Sequence, residues 1–307
     1  MDRDPGSRVV STFVSPTTLD EVLVALSRGA RPVAGGTDLV VGARQGKAPL
    51  PVDLVAIHRL DSLKILTTGR DGVRLGGLVT HEDIVANDVI RLSYTALADA
   101  SAIVGSQATR AQGTIGGNVM NASPAMDTGG PLLCLGARVV LKSSGRTRSV
   151  SLDELFVSPG HTIARPDELL VAIDIPPVVD GTGSCYARLE YRRQMEIAVV
   201  GATAVCTIVD GVVTSARVAM TALAPTIQRV PSAEALLVGQ PANRSSADAA
   251  AAAFAHATKP ISDVRASAEY RRAMAVVIAR RAIEGAFARA SGSDVPIPAS
   301  SALQGAR

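Results

Sequence analysis

Two short stretches of this chain combine residue types that let bare main chain approach a ligand. The first is Pro32-Val33-Ala34-Gly35-Gly36-Thr37-Asp38-Leu39, with paired glycines ahead of a hydroxyl. Without side chains at 35 and 36, backbone N–H groups are open to an anion and free to take the φ values an anion nest requires. A helix starting at Leu39 aims its first N–H groups at the same spot, and the Thr37 hydroxyl adds a donor. The same residues also suit a tight strand–helix turn with no ligand. The second stretch is Gly113-Thr114-Ile115-Gly116-Gly117-Asn118, continued by Asn121-Ala122-Ser123-Pro124-Ala125-Met126-Asp127. It again offers bare backbone, followed by amides, hydroxyls and one carboxylate. A carboxylate repels phosphate, so Asp127 suits sugar or ribityl hydroxyls as an acceptor. An Asx-rich surface loop held by its own side chains is the alternative. The two loops lie 81 positions apart, from 35 to 116, and together fit a ligand with two phosphates clamped from both sides. Neither is a Gly-x-Gly-x-x-Gly fingerprint or a Gly-Lys-Ser/Thr phosphate loop, which argues against a nucleotide triphosphatase.

Other chemistries find no support. Cys134, Cys185 and Cys206 are widely spaced, so neither an iron–sulfur cluster nor a structural zinc is expected on this chain. His58, His81, His161 and His256 have no metal-ligand spacing, and no catalytic residue or metal ligand is assigned. Redox chemistry here therefore needs an organic cofactor. The net charge of +3 is scattered and aromatics are 3%, unlike nucleic-acid readers. Met1 to Ser11 lacks an apolar signal region, and no long apolar run reads as a membrane span, so the cytoplasm is the expected location.

The elements that must hold the loops follow from periodicity. Thr18 to Ala30 reads as a helix with a Thr18/Glu21 capping-box pattern and a Leu19, Val22, Leu23, Leu26 stripe. Arg31 to Ala34 is a short strand, Leu39 to Arg44 a short helix and Val52 to Ile57 a buried strand. Strands follow at Val73 to Val79, Ala137 to Lys142 and Leu169 to Ile175, with helices at Ile84 to Ala86, Ala96 to Ile103 and Ser151 to Phe156. Gly105 to Pro131 is too rich in Gly, Asn, Ser and Pro to be regular throughout, and a loop of that length is usually functional. Past Pro176-Pro177, three antiparallel strands are expected, with Asp210-Gly211 as a hairpin turn. A long helix capped by Ser267 then runs to about Ala290.

The pairing of Ala34-Gly35-Gly36-Thr37-Asp38 with Gly113-Thr114-Ile115-Gly116-Gly117-Asn118 and Ala122-Ser123-Pro124-Ala125-Met126-Asp127 resembles the FAD-binding (medium) subunit of the xanthine dehydrogenase and carbon monoxide dehydrogenase family. Val52-Asp53-Leu54-Val55-Ala56-Ile57 and Asp263-Val264-Arg265-Ala266-Ser267-Ala268-Glu269-Tyr270-Arg271 extend the likeness to almost the whole chain. The resemblance implies an α+β FAD-binding fold of vanillyl-alcohol oxidase (PCMH) type. Two α/β subdomains, at 1–58 and 59–178, would precede a C-terminal domain at 181–290 with a three-strand antiparallel sheet and a helical bundle, and a disordered tail at 291–307.

It further implies non-covalent FAD. Pro32, Val33, Ala34, Gly35, Gly36, Thr37, Asp38 and Leu39 would grip the pyrophosphate from one side, and Thr114, Ile115, Gly116, Gly117 and Asn118 from the other. Ser123 and Asp127 would meet ribityl or ribose hydroxyls, Ile103 the adenine and Leu170 the flavin's nucleotide surroundings. Tyr186-Ala187-Arg188 resembles the family's aromatic-x-Lys, with Arg188 in place of lysine, and Glu196-Ile197-Ala198 its Asp-Ile-Ala, setting Ile197 over the isoalloxazine. Arginine for lysine is not a neutral exchange, and a solvent-facing edge strand is the other reading of Arg188. Molybdopterin and [2Fe-2S] clusters would sit on large and small partner subunits, in a dimer of heterotrimers. The rival expectations are a stand-alone flavin oxidase or reductase, for which His161 is the one base considered, and a non-catalytic nucleotide-binding protein.

Overall fold

The computed structural model describes residues 12–46, 49–192 and 194–300. Among the described residues the chain forms three larger sheets packed with helices and one two-stranded hairpin. Parallel β1 (Thr12–Val14), β2 (Arg31–Val33) and β3 (Asp53–Ala56) assemble in the order β1-β3-β2. Helix α1 (Leu19–Ser27) buries Val22, Leu23 and Leu26 against Val55, the stripe its spacing predicts. Thr18 accepts the Glu21 N–H at its N-terminus, but the reciprocal half of a capping box is not formed. Helix α2 (Leu39–Arg44) leaves the first glycine loop within one residue of Asp38.

The second sheet has the order β4-β5-β10-β6-β7. Its strands are β4 (Leu66–Gly69), β5 (Gly72–Gly76), β6 (Arg138–Ser143), β7 (Arg146–Ser151) and β10 (Leu169–Ile175), with a small hairpin of β8 (Phe156–Ser158) and β9 (His161–Thr162) alongside. Helices α3 (His81–Ala86), α4 (Asp88–Ser93) and α5 (Thr95–Ala102) pack over it. The Gly105 to Pro131 stretch, expected not to be regular throughout, is broken into three six-residue helices: α6 (Gln107–Gln112), α7 (Ile115–Met120) and α8 (Gly129–Cys134). Ser106 and Thr114 cap α6 and α7, and in α7 hydroxyl capping compensates for the weak helix propensity of Gly116 and Gly117. Helix α9 (Leu152–Leu155) completes this lobe.

The third sheet is antiparallel, β11 (Thr182–Leu189), β12 (Val200–Val209) and β13 (Val212–Thr221), with a two-residue fourth strand β14 (Gln228–Arg229) at its edge in place of the three expected. Asp210 and Gly211 both have positive φ, 52° and 78°, as a two-residue hairpin of type I′ demands. Helices α10 (Pro231–Ala235), α11 (Arg244–His256) and α12 (Ala268–Ala290) cover one face, and Phe254, Ile278 and Ile283 meet Val200, Val218 and Met220 in its core. The disordered tail expected from residue 291 is corrected over 291–300: Ala299 is fully buried, and its N–H donates to Asp99 at 2.9 Å. Residues 301–307 lie outside the described residues.

Candidate functional site: two loops and a buried ion network

The two glycine loops meet. A side chain at Gly35 would start 1.9 Å from the Gln112 carbonyl oxygen, so only glycine allows this contact. Gly36 has φ +70°, a conformation that L side chains rarely adopt. Among the described residues, the N–H groups of Gly35, Gly36, Thr37 and Leu39 and the Thr37 hydroxyl make no hydrogen bond. Pro32 to Thr37 are all half-buried, so this is a sheltered row of uncommitted donors next to the start of α2.

The second loop differs. The Ile115 N–H donates to Val79 O (2.9 Å), Gly116 to Gly77 O (3.1 Å), Gly117 to the Thr114 hydroxyl (3.1 Å) and Asn118 to Thr114 O (2.9 Å). The helix start is satisfied by the protein itself. Gly116 is buried, and a Cβ there would come 2.4 Å from Gly77 O, while a Cβ on Gly77 would come 2.5 Å from Leu170 O. Leu170, Gly77 and Gly116 therefore form a stack of main chain beneath the loop. Gly117 is exposed, and Asn118 is half-buried, its Oδ1 accepting from the Thr128 hydroxyl at 2.6 Å. Ser123 accepts from Ala125 N–H at 3.2 Å after Ala122 turns through φ +47°.

Asp127 anchors a separate buried network. Its Oδ1 accepts from the Tyr186 hydroxyl (2.6 Å) and its Oδ2 from Arg188 Nη1 (2.8 Å). Arg188 Nε donates to Glu190 as well, and the Arg188 backbone N–H donates to Ser300 Oγ (3.0 Å). Arg188 is 1% exposed, which excludes a solvent-facing edge position. Sequence reasoning missed this because α5 and α12 cover the outermost strand, a tertiary contact with no local signature. Burial works against the Arg188 charge, but Asp127, Tyr186 and Glu190 outweigh it and raise its pKa. The same burial pushes the Asp127 carboxyl up, opposed by Arg188 and the Tyr186 hydroxyl. Arg188 Nη2 is buried and has no partner, an unspent donor inside the network.

Ile103 packs against Ala96, Ala100 and Tyr186 beside this network. Ile197 is 44% exposed on the segment joining β11 to β12, which is tied back to the start of α6 by Met195 N–H donating to Gly105 O (3.1 Å). Met195 holds φ +53°, and Arg192 bonds both Glu196 and the Met195 carbonyl. His161 is exposed on the β8–β9 hairpin, its Nδ1 against Pro159 O. Cavities of about 570 Å³ at Thr67 to Pro177 and 450 Å³ at Leu133 to Arg229 are lined by none of these loop residues.

A family model described as the FAD binding domain in molybdopterin dehydrogenase matches residues 8–178, and one for the CO dehydrogenase flavoprotein C-terminal domain matches 185–286. The chain belongs to this family of FAD-binding medium subunits. The carbon monoxide dehydrogenase medium chain of Afipia carboxidovorans is 32% identical over 269 residues, covering 88% of this chain and 93% of that one. The nicotine 6-hydroxylase medium subunit of Paenarthrobacter nicotinovorans is 30% identical over 281 residues, covering 90% and 97%. Among solved structures, carbon monoxide dehydrogenase from Hydrogenophaga pseudoflava superimposes with a TM-score of 0.87 at 28% identity, covering 91% of this chain and 97% of that one. Reconstituted CO dehydrogenase from Oligotropha carboxidovorans does so at 0.87 and 31%, covering 94% and 100%. The medium subunit thus has the α+β fold of the CO dehydrogenase medium chain and is an oxidoreductase subunit of a molybdenum hydroxylase. Among the described residues no helix is long and apolar enough to cross a membrane, and no group of three or more His, Cys, Asp or Glu could hold a metal.

Proposed function

We propose that this subunit seats the FAD diphosphate on the uncommitted N–H groups of Gly35, Gly36, Thr37 and Leu39, and carries electrons from [2Fe-2S] clusters of a partner chain to an external acceptor. The observation that carries the placement is the asymmetry of the two loops. Among the described residues the N–H groups of Gly35, Gly36, Thr37 and Leu39 are free, whereas those of Ile115 to Asn118 are already satisfied within the protein, so an anion binds the first run with no loss of internal bonds. The second loop then contributes close approach at exposed Gly117 and the side chains of Thr114, Asn118 and Ser123. Its Gly116 serves protein packing.

The free Arg188 Nη2 fits a cofactor carbonyl or ring nitrogen between the second and third sheets. Asp127 acts there chiefly by orienting Arg188, with its spare lone pairs open to a ribityl hydroxyl. Bound FAD supplies the electron chemistry; the chain binds, orients and shelters it. Ile103, beside Tyr186, is assigned to the adenine and Leu170, beneath Gly77, to the nucleotide surroundings, and Ile197, being half-exposed, is the residue suited to cover a ring. Large and small partner subunits are supported by relatives named as medium chains, and a dimer of heterotrimers in the cytoplasm completes the reading.

A stand-alone flavin oxidase needs a base at the site. His161 sits on a surface hairpin, and no observation favours that reading. Purification tests the proposal: a yellow protein with bound FAD that co-purifies with larger and smaller subunits supports it, and a colourless, solitary chain that takes up no FAD contradicts it.

A further inference from the structure

His81 opens α3 behind the point where the two loops meet. Its backbone N–H donates to Gly113 O at 3.1 Å. The position of a Gly113 Cβ lies 2.9 Å from the Thr109 carbonyl oxygen, 3.4 Å from His81 Cδ2 and 3.6 Å from the Thr37 hydroxyl oxygen, so ring, hydroxyl and bare main chain converge on one point beside the first loop. The imidazole is 1% exposed, and its Nδ1 is buried without a hydrogen-bond partner. An unsatisfied buried polar atom is costly, and native folds keep few. Burial, then the charge of Arg110, holds the ring's pKa down to about 4, so at neutral pH it carries one N–H donor and one acceptor nitrogen. Half a turn about χ2, a broad two-fold torsion, exchanges Nδ1 with Cδ2 and brings the nitrogen to the Thr37 and Gly113 side.

We propose that His81 is a further cofactor-binding residue, its ring nitrogen donating a hydrogen bond to a diphosphate oxygen seated at Thr37. The inference rests on the placement of the diphosphate given above. A neutral ring adds a donor to the cradle without adding charge, complementing the uncommitted N–H groups of the first loop. If the ring served only to fill space between α3 and α6, any flat side chain of its size would do as well.

The test uses the full chain depleted of flavin and titrated with FAD, followed by flavin fluorescence. His81→Phe keeps the ring and loses the donor, and weakens FAD by roughly tenfold. His81→Asn puts an amide near the Nδ1 position and stays within about threefold of wild type. In the wild type, titration with ADP shifts a ring ¹⁵N resonance of His81, whereas riboflavin, which has no phosphate, leaves it in place. Equal FAD affinity for His81→Phe and wild type overturns the proposal, and so does a His81 resonance unmoved at saturating ADP. Should His81→Phe fail to fold, the ¹⁵N measurement on the wild type decides alone. A wild-type chain that takes up no FAD is a different outcome, and it removes the cofactor placement itself.

Discussion

Neighbouring glycines in these loops do opposite work, and substitution separates them. Gly116→Ala drives a methyl group to 2.4 Å from Gly77 O and should cost about 1–3 kcal/mol of stability in the cofactor-free chain, read by denaturant unfolding. Gly117→Ala meets nothing closer than the Thr114 hydroxyl at 3.0 Å and leaves stability within about 1 kcal/mol, while FAD affinity drops. Equal stability of the two variants would remove the packing role given to Gly116. Residue types alone cannot make this distinction. The glycine pairs were legible as sites of close approach, but whether the approaching atom belongs to a ligand or to Gly77 depends on a chain segment some forty positions away (77 to 116). Arg188 was likewise legible as a functional candidate by its resemblance to a family motif, and its burial and carboxylate partners were not. Tyr186→Phe removes the hydroxyl bond to Asp127 and should weaken FAD by roughly tenfold or less, through a less firmly held Arg188. An unchanged affinity would show that the Asp127 network does not reach the cofactor.

Single elements show where periodicity succeeds and where it stops. Helix α1 and the Ser267-capped α12 carry caps and apolar faces in their own sequence, and their ends, like those of α2, lie within a few residues of the sequence reading. Helices α6, α7 and α8 do not, because six residues give less than two turns and no resolvable period. The segment leading into β10 is fixed by a single carboxylate. Arg148 Nε and Nη2 donate to the two oxygens of Glu168, both at 2.8 Å, and the Arg165 N–H donates to Oε2, also at 2.8 Å. The Arg148 hydrogen bond, helped by Arg165, holds the Glu168 pKa down to about 2 from an ordinary 4.5. A carboxylate with a depressed folded pKa stabilises the fold above its unfolded pKa and loses that contribution as pH falls. Wild type should therefore exceed Glu168→Gln in unfolding free energy at neutral pH, with the difference vanishing between about 4.5 and about 2. A difference that persists unchanged at the lowest pH would show that the charge is not its source.

At the scale of the molecule, the second and third sheets are joined through Asp99, which is fully buried on α5. It accepts from the backbone N–H groups of Tyr186 and Ala299 and pairs with Arg289 of α12. One carboxylate thus ties a helix of the second lobe to a strand, a helix and the 294–300 segment of the third. Asp99→Ala leaves Arg289 buried without its partner and should cost about 3–5 kcal/mol, or split thermal unfolding into two transitions. A single transition at the wild-type temperature would show that the lobes are held elsewhere. The tie has a functional side, since the same segment presents Ser300 to the Arg188 backbone and so braces the guanidinium proposed to face the cofactor. None of this was readable in the sequence, where the residues beyond 290 are polar and proline-containing and look like a tail.

The central claim is that a diphosphate rests on the free main-chain donors of the first loop. Competition binding tests it most directly: the flavin-depleted full chain is loaded with FAD, and ADP or riboflavin is added as the competitor. Seating by the diphosphate predicts one FAD per chain, displaced by ADP far more effectively than by riboflavin. FAD that is displaced by riboflavin and ignores a large excess of ADP would contradict it.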